Sequence, residues 1–282
     1  MFRWDAAGQA RHDYEDVFLT SKRDLAALLE IPLERAAVLV LGCGYNYPDV
    51  ILFHEIVQEV VGLDVLPAFY RDGLGRALSI AWREAPTRPT RAVRALAKYC
   101  NYRRYYHHLA HAAGVKPAHD SYHLIGYDGG YMPFEDETFD IAVSNAVLEH
   151  VADLETLVAE LARVTRRGGL SYHLWHNYYS YRGSHLPEAL CRAAPWGHLR
   201  GIYQTSGLNS ATPDQVRDAF AAAFEVVGFY AVDRQHRKKG VDAGFAYEAE
   251  DLLTLEIADE LSRYPRELLL TRAYLVVARK AG

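Results

Sequence analysis

One stretch, VLVLGCGYNYPDVILFHEIVQEVVGLD from Val38 to Asp64, restricts the possible folds more than anything else in the chain. Val38 to Leu41 is an unbroken apolar run of the kind buried on both faces of a parallel sheet, and it stops at Gly42-Cys43-Gly44. Glycine admits positive φ and lets a ligand approach the backbone, and Pro48-Asp49 then suits the first turn of a helix. A second apolar run, Val60 to Leu63, leads into Asp64, twenty residues past Gly44. Strand, glycine turn, helix and strand in this order predict one half of a nucleotide-binding α/β sheet.

An acid at that spacing is placed to accept hydrogen bonds from a ribose. NAD, FAD and S-adenosylmethionine all carry a ribose diol, so Asp64 alone does not choose among them. A tight turn with no ligand is the plain alternative.

The 282 residues, 50% hydrophobic and 24% charged, suit one α/β domain with insertions. A net charge of −5 gives no global attraction to nucleic acid or anionic membrane. Cys43, Cys100 and Cys191 lie far apart with no Cys-x-x-Cys, which indicates neither a disulfide framework nor a thiolate zinc site. The N-terminus MFRWDAAGQARHDYEDVF lacks a signal-peptide core and no run has the length of a membrane span, so a cytoplasmic protein is expected. No internal repeat is found.

Val17 to Ile31 carries apolar residues at helical spacing and is ended by Pro32. After Asp64 the next strand, Tyr122 to Tyr127, is more than fifty residues away, which predicts a helical insertion at about 66–120. Ala92, Leu96, Tyr99, Tyr102, Tyr106, Leu109 and Ala113 form one stripe of a long helix. Arg83, Arg88, Arg91, Arg94, Lys98, Arg103 and Arg104 make its other faces basic, with Glu84 as the single acid of that stretch. A solvated face is the ordinary meaning of such a run; a clamp for an anionic substrate group is the functional one.

Further on, Asp128 ends a short strand, Ile141 to Ser144 is a buried strand, and Asp153 caps a helix carrying Leu154, Leu157, Val158, Leu161 and Val164. Arg166 and Arg167 are expected at the end of that helix, with Gly168-Gly169 stopping it before a strand from Leu170 to Leu174. Ala219 to Val232 and Arg272 to Arg279 are expected as the last two strands.

The run from Tyr127 to Asn177 closely resembles the class I S-adenosylmethionine-dependent methyltransferases. The resemblance rests on Asp128, on Pro133-Phe134, on Phe139 to His150 and on Arg163 to Gly169; with Val38 to Asp64 it covers roughly Val38 to Trp175 apart from the insertion. It implies a doubly wound, mostly parallel seven-stranded α/β sheet with an antiparallel edge strand, formed by the final strand. It also implies a single domain over 1–282 that uses S-adenosyl-L-methionine and releases S-adenosyl-L-homocysteine. Gly42, Cys43, Gly44, Asp64, Val65, Asp128, Gly129 and Asn145 are the implied cofactor contacts. Two positions depart from the pattern: Val40 stands where the family carries an acid, and Asn46 where it carries a third glycine. Asn tolerates left-handed backbone angles, so the turn is expected to survive.

Methyl transfer needs an acceptor aligned with the S–CH3 axis and, for a hydroxyl, a group that removes its proton. His150, past the fourth strand, and His176 and His185, past the fifth, are the candidate bases. The segment at about 175–215, rich in Tyr, His, Gly and Pro, is expected to be a lid. Tyr106, Tyr178, Tyr181 and Trp196 are the candidate apolar walls of a substrate pocket, and Arg104 and Arg182 its anion contacts. No metal is expected, because His173, His176, His185 and His198 show neither acidic companions nor i, i+4 spacing. The expected acceptor is an oxygen, less readily a nitrogen, of a small molecule or glycan precursor. A non-catalytic cofactor-binding scaffold and an RNA methyltransferase using the basic helix 83–104 are the alternatives.

Overall fold

The computed structural model describes residues 5–66, 68–84, 89–127 and 130–282. They fall into two compact units, Met1–Ile141 and Ala142–Gly282.

The first unit opens with α1 (Ala6–Arg11), whose N-terminus is capped by Asp5 accepting from the Gly8 N–H. A π-helical turn over His12–Phe18 leads into α2 (Leu19–Leu28). The helical region thus starts well before Val17 and stops short of Ile31, because Leu29 already turns extended to feed the first strand. Then come β1 (Ala37–Leu41), α3 (Pro48–His54) and β2 (Glu59–Asp64). β1 is buried along its whole length, as a strand covered on both faces must be, and pairs parallel with β2. At Gly62 a Cβ would come within 2.7 Å of Leu124 Cδ2 and 2.8 Å of Val50 Cγ2, so only glycine lets α3 seat this closely on β2.

The insertion consists mainly of α4 (Gly73–Glu84) and α5 (Pro89–Ala113), and α5 packs against α1. Tyr106 and Leu109 of the apolar stripe are buried, as is Tyr105 beside them, whose hydroxyl donates to Asp13 at 2.6 Å. Leu96, by contrast, is exposed. Arg103 and Arg104 lie on the exposed face; the side chains of Arg83, Arg88, Arg91 and Arg94 are outside those described. β3 (His123–Gly126) follows and pairs parallel with β2.

β4 (Phe139–Asn145) spans the division, and the second unit continues with α6 (Leu154–Val164), capped by Asp153 through the Thr156 N–H. β5 (Thr165–His176) is longer than expected. Arg166 to Gly169 belong to the strand rather than to the helix end: Thr165 leaves the helix with extended angles, and the Gly168 N–H donates to Lys280 O while the Lys280 N–H donates to Gly169 O. α7 (Glu188–Ala193), α8 (Pro213–Ala221) and β6 (Glu225–Val232) follow. The strand expected from Ala219 begins only at Glu225, because Pro213 and a reciprocal Thr212–Gln215 cap commit the preceding residues to α8. α9 (Leu255–Glu260), α10 (Arg266–Leu270) and β7 (Ala273–Arg279) complete the chain.

The strand order is β3-β2-β1-β4-β5-β7-β6, a seven-stranded mixed sheet of Rossmann-like α/β type. β7 runs antiparallel to both β5 and β6 and lies one place in from the edge, which β6 closes. No helix among the described residues is long and apolar enough to cross a membrane.

Deep in the second unit His173 sits between Ser144 Oγ, 2.7 Å from Nδ1, and Ser171 Oγ, 2.6 Å from Nε2. Burial pushes it down from 6.5 to about 3. Its folded value lies below its unfolded one, so the unfolded chain holds the extra proton across that window and stability drops as pH falls through it. The expected slope from this group is up to about 1.4 kcal/mol per pH unit. Urea titrations at several pH values should show it, and His173→Gln should be flatter in pH though less stable; an equally steep variant would contradict the assignment.

Candidate functional site

In the first unit Gly42 and Gly44 adopt φ of 63° and 72°, and the N–H groups of Gly42 and Cys43 donate to Leu63 O at 2.7 and 3.2 Å. The chain therefore doubles back over the end of β2, where Asp64 is held on both sides. Gly44 N–H donates to its Oδ2 at 2.7 Å and Leu66 N–H to its Oδ1 at 2.9 Å. Each oxygen keeps a lone pair for a ligand hydroxyl. The left-handed residue opening α3 is Tyr47, with φ 38°, rather than Asn46. A buried tyrosine is strained there and is held by packing, with its hydroxyl 3.0 Å from His119 Nδ1.

Tyr106 is buried against this turn and donates its hydroxyl to Asn46 O at 2.9 Å, so it buttresses the turn rather than walling an acceptor pocket. Val40 is buried within β1 and offers no charge. Asp49 on α3 is a carboxyl that burial, and then the charge of Asp13, push up to about 7. A groove of ≈ 650 Å³ is lined by Val65, Leu66, Gly126, Tyr127, Tyr131 and Pro133. Val65 is exposed in it, whereas Asp128 and Gly129 lie outside the described residues.

In the second unit β4 ends at half-buried Asn145, and Ala146 turns left-handed (φ 57°) with its N–H donating to Leu174 O. A short 3-10 turn, Leu148–His150, then points Glu149 inward and leaves His150 exposed, 2.8 Å from Gly207 O through Nδ1. Glu149 is 2% exposed. Its Oε1 is 3.0 Å from His176 Nδ1 and 3.8 Å from His185 Nε2, and accepts the His176 N–H at 3.3 Å. Its Oε2 has no hydrogen-bond partner, and His176 Nδ1 does not meet Oε1 in hydrogen-bond geometry. The His185 ring centroid is 5.2 Å from those of both His150 and His176. Burial first, and then the neighbouring His176, hold His185 down to about 4. His176 and His185, with Ser180, Arg182 and Arg272, line a cavity of ≈ 220 Å³.

The structure thus brings His150, His176 and His185 together and adds Glu149, which sequence reasoning missed although it stands next to His150. The acidic companion found wanting for these histidines comes from the turn after β4, beyond the reach of a search by local spacing. His173 and His198 are occupied elsewhere, His198 Nε2 lying 2.7 Å from Tyr178 O.

Three candidate walls are placed differently from expectation. Trp196 is fully buried and donates its indole N–H to Leu269 O at 3.2 Å; Tyr181 is buried with its hydroxyl 3.3 Å from Glu188. Both belong to a second core with Cys191, Leu199, Leu253, Ile257, Leu261, Leu269 and Leu270. Tyr178 packs against that core, its hydroxyl 3.4 Å from Thr205 Oγ1. Arg182 remains at the cavity, 3.4 Å from Glu188; Arg104 is exposed on α5 in the first unit.

The turn carrying Arg182 and His185 is tight at Gly183, where a Cβ would collide with the Tyr178 carbonyl. Gly183→Ala must shift backbone, and the overpacking is expected to cost about 1–3 kcal/mol. Thermal unfolding should report it; an unchanged midpoint would show that the loop has slack.

The family described as "Methyltransferase domain" matches residues 87–172. An uncharacterised methyltransferase of Mycobacterium avium (strain 104) is 44% identical over 68 residues, 23% of this chain and 27% of that protein. The demethylmenaquinone methyltransferase of Thermobifida fusca (strain YX) is 33% identical over 92 residues, 32% of this chain and 36% of the relative. The chain spans about a quarter to a third of the length of these curated relatives. Geranyl diphosphate C-methyltransferase from Streptomyces coelicolor A3(2), solved with Mg2+, geranyl diphosphate and S-adenosyl-L-homocysteine, superposes with a TM-score of 0.51 at 12% identity. The match covers 99% of this chain and 85% of that one and shows a shared fold.

Proposed function

We propose that the chain is a class I S-adenosylmethionine-dependent methyltransferase that methylates an oxygen of a small molecule or glycan precursor. One observation carries this reading: the Asp64 carboxylate, pinned by the Gly44 and Leu66 amides beside the glycine turn, with a groove opening next to Val65. A carboxylate fixed in that way is ready to accept from both hydroxyls of a ribose, and the groove suits a planar base. The methyltransferase-domain match and the methyltransferase relatives support S-adenosylmethionine over the other ribose-bearing cofactors.

Gly42, Cys43, Gly44, Asp64 and Val65 would hold the cofactor from the first unit's turn, with Asp128, Gly129 and Asn145 after the third and fourth strands. Val40 leaves the position where the family carries an acid without a charge. The cofactor, when bound, supplies an electrophilic methyl group. An acceptor hydroxyl gives its proton to the imidazole group formed by His150, His176 and His185. The deprotonated acceptor oxygen would then be the nucleophile toward that methyl group. Arg182 and Arg272 give the cavity a cationic rim suited to an acidic acceptor. The chain would form one methyltransferase domain in which the insertion at about 66–120 and the segment at about 175–215 select the acceptor. Demethylmenaquinone and geranyl diphosphate, after which the Thermobifida and Streptomyces proteins are named, differ too much to be transferred.

Calorimetric titration with S-adenosyl-L-methionine, S-adenosyl-L-homocysteine and NAD tests the cofactor assignment. Saturable one-to-one binding of the first two with none of NAD is expected; NAD binding alone would overturn it.

A further inference from the structure

We propose that Glu149, His176 and His185 form a binding site for a divalent transition-metal ion of the zinc class, with an open coordination position toward the cavity that His176 and His185 line. One ligand atom from each of the three residues lies within 4.8 Å of the others, and Glu149 Oε1 is 3.0 Å from His176 Nδ1 and 3.8 Å from His185 Nε2. Bonds of about 2.0–2.2 Å from such an ion to nitrogen and oxygen place its ligands roughly 3–3.6 Å apart, so the His185 ring must draw in by up to about 1 Å to complete the set. Two imidazoles and one carboxylate are a donor combination that leaves a further position for water or substrate.

Glu149 is itself left in need of a cation. It is 2% exposed, its Oε2 has no partner, and His176 Nδ1 approaches Oε1 without hydrogen-bond geometry. A buried carboxylate with an unmet oxygen is costly unless a cation compensates it. The three donors are also fixed by backbone: Glu149 by a 3-10 turn, His176 by the end of β5, and His185 by a left-handed residue with φ 55°. Preset ligands lose little freedom on binding.

Ion binding stands on the second unit's own geometry. Its use for the acceptor rests on the proposed function. The open position would take an acceptor oxygen while Arg182 and Arg272 hold an anionic group, which narrows the acceptor to a hydroxyl compound bearing a carboxylate or phosphate. With His176 and His185 engaged as ligands, exposed His150 is left to take the hydroxyl proton.

The test is equilibrium dialysis of the full chain, stripped with chelator, against Zn2+, together with visible spectroscopy of the Co2+-loaded protein. One ion per chain and an intense visible band from low-coordinate cobalt are expected. Glu149→Gln and His185→Ala should each weaken Zn2+ binding at least about 100-fold, whereas His108→Ala, at an exposed position on α5, should not. Absence of a stoichiometric ion in the wild-type chain, or retention of its affinity in both site variants, overturns the proposal. Titration of the same samples with S-adenosyl-L-homocysteine separates the two readings. Cofactor binding without the ion sinks the metal site alone, and the ion without cofactor binding sinks the methyltransferase reading while leaving the site in place.

Discussion

Trp196→Ala is expected to destabilise the second unit by roughly 3–5 kcal/mol, among the largest single-residue effects in the chain. The indole is fully buried, lies edge-on to Tyr181 with ring centroids 5.7 Å apart, and donates to Leu269 O across 73 residues of sequence. Truncation removes that surface, leaves a cavity and orphans a buried carbonyl. The backbone adds to the effect, because Trp196 has φ 51° and only its packing repays the strain. Trp196→Phe keeps most of the packing and should cost about 1–3 kcal/mol, chiefly for the lost hydrogen bond. Urea denaturation of the two variants measures the difference. A loss under about 1 kcal/mol for the alanine variant would mean that the segment around 178–200 is not anchored through this side chain.

Asp64→Ala is expected to reduce affinity for S-adenosyl-L-homocysteine by about 10- to 150-fold, the equivalent of one hydrogen bond to a charged group. The same carboxylate accepts the Gly44 and Leu66 amides, so its removal also loosens the glycine turn. Asp64→Asn retains an acceptor and should fall between the alanine variant and the wild-type chain. Calorimetry on the three proteins, each checked for folding by circular dichroism, gives the comparison. Affinity within twofold of wild type in Asp64→Ala would remove the ribose assignment.

The parts of this molecule that a reader of the sequence finds are those written locally. The strand–turn–helix–strand of Val38 to Asp64 is announced by an apolar run, two glycines, a proline and a terminal acid within one short stretch. Asp153 likewise announces α6 three residues before the amide it caps. What escapes is what depends on distant partners. Glu149 meets His176 across 27 residues and His185 through a loop whose course has no local code. Trp196 and Tyr181 have the composition of a stacking platform, yet the segment 253–270 that covers them shows no outward sign of doing so. At the glycine turn, the left-handed angle falls on Tyr47 rather than Asn46, because the tertiary contacts of its ring and hydroxyl outweigh intrinsic preference.

Methyl transfer itself is the activity that separates an enzyme from a binding scaffold. The wild-type chain is incubated with methyl-tritiated S-adenosyl-L-methionine and the small-molecule fraction of the cells that make it, beside Asp64→Ala. Label is expected in an acidic, hydroxyl-bearing acceptor, formed in step with S-adenosyl-L-homocysteine and strongly reduced in the variant. Saturable cofactor binding with no homocysteine product above the protein-free control would contradict it and identify the chain as a binding scaffold.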